Sequence, residues 1–156
     1  MYLSPTGKDL NLAEKYWIPA IVVDLTPEHI AQFKEEGFEF TDEMQHLMER
    51  YPLPKLDEVR FIPDTESYEE KQQAFRSIIQ KLEPGLTQIM ISPAIESEAL
   101  KAITPRWQQL VWDEKLLNDP QTKAELKRAG VKLTNWREIM RRFDAGLRRP
   151  ARRARN

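Results

Sequence analysis

The chain has 156 residues, 40% of them hydrophobic and 31% charged, with a formal net charge of −1. That suits one globular domain with a wet surface, since a chain of this size can bury roughly two thirds of its unfolded surface. Zero cysteines exclude disulfides, thiolate zinc sites, iron–sulfur clusters and a cysteine nucleophile, and two histidines leave little for an imidazole-based metal centre. No apolar run nears the ~18 residues of a membrane span, and the start MYLSPTGKDL lacks the basic and apolar regions of a signal peptide, so a cytoplasmic protein without membrane attachment is expected.

Taken in order, Lys8 to Tyr16 reads as a helix with an apolar stripe, and Pro19 bars its extension. Ala20 to Val23 is an uninterrupted apolar run before Asp24, which predicts a strand buried on both faces. Thr26-Pro27-Glu28 is a helix start, with Thr26 as N-cap and Pro27 in the first helical position, and Gly37 is its expected stop. Thr41 caps a second helix, which Pro52 and Pro54 end. His29 and His46 both fall on these polar helices, and solvated side chains are expected there.

Val59 to Ile62, between Pro54 and Pro63, predicts a short strand. Ser67 to Leu82 is the clearest helix: Tyr68, Phe75, Ile78, Ile79 and Leu82 share one stripe, with Glu69, Glu70, Lys71 and Arg76 off it. Pro84-Gly85 makes a turn, Thr87 to Ile91 supplies β-branched and apolar strand residues, and Ser92-Pro93 stops the strand. Helices follow over Ser97 to Ile103, from Thr104-Pro105 to Leu117, and from Asp119-Pro120 to Ala129, where Gly130 closes the last. Val131 to Leu133 predicts another strand, and Asn135 caps a final helix through Phe143.

This alternation of helix and apolar strand defines an α/β fold over residues 1–143. Residues 144–156, DAGLRRPARRARN, carry five Arg and one Asp, about +4, which leaves about −5 for the body. A disordered tail is expected there, and no aromatic or Gly pattern interleaves its Arg as nucleic-acid binding segments require.

In open α/β sheets the loop past a strand's C-terminal end collects ligands, so Ser92 and Pro93 are the expected pocket-facing residues. No phosphate-cradling loop or nucleophile elbow can be built from five scattered glycines. Acidic pairs such as Asp42-Glu43, Asp57-Glu58 and Asp113-Glu114 read as solvated surface, and the Trp107 and Trp112 pair as helix packing rather than a sugar-stacking platform. The residues alone nominate no catalytic or metal-binding side chain.

Three phrases carry a family likeness. AEKYWIPAIV resembles the "KYGIPA" helix and strand of the YdjC-like carbohydrate deacetylases, EPGLTQIMISPAIESEALKAITP resembles their "PGxTELxxHPA" strand and "RxITP" region, and GVKLTNWREIM resembles their closing "GIxLIxWREL". Together they span most of residues 12–143, matching the C-terminal half of the family. The resemblance implies a partial, divergent (β/α) barrel with about three to four core strands. It also implies metal-dependent hydrolysis of N-acetyl groups on sugars, in which the metal lowers the pKa of a bound water.

The family's metal ligands and catalytic base come from motifs upstream of any residue here, so no metal ligand carries over and this chain has no cofactor of its own. Where the family places His before Pro-Ala, this chain has Ser92, and a hydroxyl cannot stand in for a proton donor that titrates near neutrality. The expectation is an incomplete or diverged deacetylase, inactive alone. It would self-associate through an exposed strand edge, pair with an N-terminal-half partner that restores activity, or bind an acetylated sugar without cleaving it.

Overall fold

Two helices of this protein end in the same way, and the contrast between them runs through the fold. In the computed structural model, which describes residues 7–27, 29–31 and 41–147, helix α1 (Gly7–Tyr16) closes with the Ile18 N–H donating to the Ala13 carbonyl at 2.9 Å and the Trp17 N–H to Glu14 at 3.1 Å. That paired closure needs a residue with positive φ just past the helix, a place usually given to Gly. Trp17 occupies it with φ 56°.

The chain divides into two compact units, Met1–Asp57 with Thr134–Asn156, and Glu58–Leu133. In the first, the core holds Leu10 of α1, Val22, Met48, Tyr51 and Leu53. The strand expected over Ala20 to Val23 is reduced to one parallel bridge, Val23 to Leu56. Asp24 N–H donates to Leu56 and Leu56 N–H donates to Val22. The next step of a parallel ladder would need an N–H from position 54, and Pro54 has none. Ala20 instead donates its N–H to the Tyr51 hydroxyl at 2.8 Å. Nor is the segment buried on both faces: Val22 and Val23 are buried while Ile21 is 45% exposed.

Thr26 caps a helical turn, its hydroxyl accepting the His29 N–H at 3.2 Å, while the expected stop at Gly37 lies outside the described residues. Helix α2 (Asp42–Arg50) starts at the Thr41 cap and buries Met48. Residues 58–133 intervene before helix α7 (Trp136–Leu147), where Asn135 accepts the Glu138 N–H and Met140 and Phe143 pack against the unit's core. This helix runs through Leu147, and the remaining Arg-rich residues lie outside the described ones.

The second unit is built on a β–α–β crossover. Strands β1 (Glu58–Phe61) and β2 (Thr87–Met90) are parallel in the register Glu58↔Thr87 to Phe61↔Met90, and helix α3 (Tyr68–Gln80) connects them. Ser67 caps α3 through the Glu70 N–H. Helices α4 (Glu98–Ile103), α5 (Trp107–Asn118) and α6 (Pro120–Arg128) follow, with Ser97 and Asp119 as caps of α4 and α6. Tyr68, Phe75, Ile79 and Leu116 form the core, joined by Ile62, Ile89, Ile91, Trp112 and Leu126. Helix α5 begins at Trp107, later than expected: residues 105 and 106 form a turn in which the Thr104 hydroxyl accepts the Arg106 N–H and the Thr104 carbonyl accepts the Trp107 N–H.

The strand expected over Val131 to Leu133 does not form. Helix α6 ends in the same closure as α1, with Gly130 at φ 71°, and it takes the Val131 N–H for Leu126 and the Gly130 N–H for Lys127. Val131 therefore has no N–H left for a ladder, and Leu133 is exposed. Among the described residues the sheet has two strands, so the fold is helix-rich α/β and no barrel closes.

Candidate functional site

Strand β2 delivers Ser92 and Pro93 to its C-terminal end, where Ser92 is 21 residues away in sequence from the side chain that holds it and Pro93 is exposed. What fixes this end is a side chain that composition hid. The Ser92 N–H donates to Asp113 Oδ2 at 3.0 Å, and the Ala94 N–H donates to the Leu110 carbonyl at 3.0 Å, so α5 holds the loop at two points. Asp113 is buried rather than solvated, correcting the reading of Asp113-Glu114 as a surface pair.

Beneath it lies Lys71 of α3, with only 2% of its side chain exposed and Nζ 2.8 Å from Asp113 Oδ1. The contact has the geometry of an ion pair and not of an aligned hydrogen bond, since Oδ1 is buried without a hydrogen-bond donor. Lys71 Nζ also donates to Gln109 Oε1 at 3.1 Å. Gln109 in turn receives the Thr65 N–H at 3.2 Å and donates Nε2 to the Thr65 carbonyl at 2.7 Å. One buried cation thus ties the loop before α3, the helix α5 and the loop after β2 together. A buried charge is tolerated only when paired and hydrogen-bonded in this way.

Lys71 was expected on the solvent side of its helix, and it faces the core instead. Positions 68, 71, 75 and 79 are spaced three, four and four apart, which is one helical stripe, and the charge at 71 concealed it. Asp113 had a matching signal: with Gln109 and Leu116 it sits on one face of α5.

Around this cluster are two further polar contacts. Arg106 grips Asp64 with two hydrogen bonds of 2.7 Å, and this guanidinium holds the Asp64 carboxyl below its usual range. The Tyr68 hydroxyl donates to Asp119 at 3.3 Å, while Lys115 Nζ sits 3.8 Å from the Tyr68 ring centroid. Burial first, and the Asp119 charge second, push the Tyr68 hydroxyl above its ordinary value.

As for chemistry, residues 58–133 contain no histidine, so the unit that carries Ser92 offers its hydroxyl no imidazole base. Among the described residues, no group of three His, Asp or Glu side chains is placed to hold a metal ion, and the donor set of the resembled deacetylases is not assembled. His29 donates Nδ1–H to the Asp24 carbonyl at 2.7 Å, and His46 lies exposed 3.6 Å from Glu49. Trp112 packs against the second unit's core, and Lys101 covers the Trp107 ring at 5.0 Å. No helix among the described residues is long and apolar enough to cross a membrane.

No protein-family model matches the chain, and no curated protein matches it. Among solved structures, it is similar to a crystal structure from Enterococcus faecalis V583, that of a candidate cellobiose-phosphate cleavage protein, with a TM-score of 0.56 at 18% identity. The likeness covers 85% of this chain and 46% of that one, so the present chain spans less than half of its neighbour's length. At this identity the match shows the fold alone.

Proposed function

We propose that the chain corresponds to the C-terminal half of a YdjC-like carbohydrate deacetylase barrel, diverged at position 92, and that it does not hydrolyse N-acetyl groups by itself. The observation that carries this reading is the fold shared with a carbohydrate-linked protein of which it matches 46%. The β–α–β crossover ending at Ser92 agrees with it, because that strand end is where the resembled family keeps the group that protonates the leaving amine. Among the described residues no metal donor set is assembled, and no side chain is assigned a catalytic step.

The experiment is acetate release from N-acetylated chitooligosaccharides by the purified chain with added zinc, cobalt or nickel. No release above a protein-free control is expected. Metal-dependent turnover would overturn the proposal.

The 46% coverage also favours a second reading, in which another polypeptide supplies the metal-binding half and the two chains assemble one active site. A co-purifying partner, with acetate released only by the mixture, would support this reading. An isolated chain with no such partner would remove it.

A further inference from the structure

Helix α7 has one face committed to the protein and one that is not. Met140 and Phe143 pack against the core of the first unit, whereas Arg137 and Arg141, four residues apart and so on one stripe, are exposed. Both acids of the helix are already engaged: Glu138 pairs with Arg142 and accepts the Thr134 hydroxyl, and Asp144 accepts the Trp17 indole N–H at 3.3 Å. Composition placed the basic run after residue 143, but the helix presents its first exposed charges on a folded scaffold. From Arg137 to Asn156 the sequence has eight Arg, no Lys and two acids, about +6, while residues 1–136 carry about −7.

From this we infer that the Arg137 and Arg141 face of α7, with the Arg that follow it in sequence, binds the phosphate backbone of duplex nucleic acid without reading its bases. A polyanion complements a strongly basic stretch on an otherwise acidic chain, and each Arg that meets a phosphate releases a condensed counterion. Arg at all eight cationic positions favours phosphate in particular, because the planar guanidinium contacts it through two parallel N–H bonds. A duplex is chosen over a single strand because no aromatic residue follows Phe143, which is itself packed, so no ring is placed to stack unpaired bases. An anionic membrane fits less well, since Met140 and Phe143 are spent on the core and give lipid no apolar helix face. None of this rests on the deacetylase reading.

The test is fluorescence anisotropy of a labelled duplex of about 20 base pairs, titrated with the full chain between about 50 and 200 mM salt. A dissociation constant of about 10 μM is expected near physiological salt, with the logarithm of the binding constant falling linearly against the logarithm of salt concentration. Arg137→Gln combined with Arg141→Gln should flatten that slope by about 1.8, since each lost phosphate contact removes about 0.9. Lys123→Gln combined with Lys127→Gln, an exposed pair at the same spacing on α6, should leave it unchanged.

A slope unaltered by the α7 variant, or flattened equally by the α6 variant, would overturn the assignment of this face. No binding to the duplex at the lowest salt would overturn the inference altogether. Tighter binding to a single strand of the same length, or co-sedimentation with phosphatidylserine-containing vesicles while the duplex stays free, would also overturn it by giving the Arg a different partner.

Discussion

Lys71 Nζ and Asp113 Oδ1 lie 2.8 Å apart inside the second unit, and the other oxygen of the same carboxylate accepts the backbone N–H of Ser92. The pair therefore links α3 to the end of β2 through α5. Removing one partner leaves the other as a buried, uncompensated charge, which costs about 3–5 kcal/mol. Replacing both with apolar residues of similar volume is close to neutral or stabilising. Urea unfolding of Lys71→Met, Asp113→Leu and the double variant checks this. Each single variant should be strongly destabilised and the double variant restored, and two additive losses would contradict the pair's mutual dependence.

The same cycle has a local readout. Asp113→Asn retains an acceptor for the Ser92 N–H but loses the charge, whereas Asp113→Leu loses both. Hydrogen exchange at the Ser92 amide should therefore be faster in the leucine variant than in the asparagine variant. Equal protection in the two would mean that the bond does not hold the loop.

Two helix ends give a paired prediction. At Gly130 a Cβ would meet no atom within 4 Å, so Gly130→Ala tests the backbone alone, and it should cost about 1 kcal/mol at φ 71°. At Trp17 the order reverses: Trp17→Gly should be more stable than Trp17→Ala by about 1 kcal/mol, because both lose the ring and one keeps the strain. Thermal melts of the three variants decide it. An alanine variant at 17 as stable as the glycine variant would place Trp17 outside the left-handed region.

Acid sensitivity should include a contribution from Asp64. Its carboxyl is held below the ordinary range by the Arg106 guanidinium, so the folded state binds its proton less readily than the unfolded chain. The resulting stability is present above the unfolded carboxylate pKa and is lost as pH falls through the lowered folded value. Both side chains are substantially exposed, which limits the contribution to under about 1 kcal/mol in ordinary salt. Asp64→Asn should show a shallower loss of stability between neutral and acid pH. A loss as steep as that of the unaltered chain would contradict the assignment.

Much of this fold was legible in the residues, and the failures have causes. Thr26, Thr41, Ser97, Asp119 and Asn135 each cap the helix their position announces, because a short polar side chain before an amphipathic run has one local use. The β–α–β unit followed from the Tyr68–Phe75–Ile79 stripe between two short strands. Apolar runs misled where backbone donors were missing or taken: Pro54 has no N–H to extend the ladder beside Val23, and the Val131 N–H belongs to the closure of α6. Position 92 was legible as a strand end. The Lys71 and Asp113 beneath it were not, since a charge inside an apolar stripe looks like a solvated residue until its partner on another helix is known.

What this strand end does is tested most directly by incubating the purified chain with N,N′-diacetylchitobiose and zinc, then quantifying acetate against a protein-free control and a metal-free sample. The proposed reading, in which position 92 has lost the family's proton donor, predicts acetate equal to the control with and without zinc. Metal-dependent release that increases in proportion to protein concentration would contradict it.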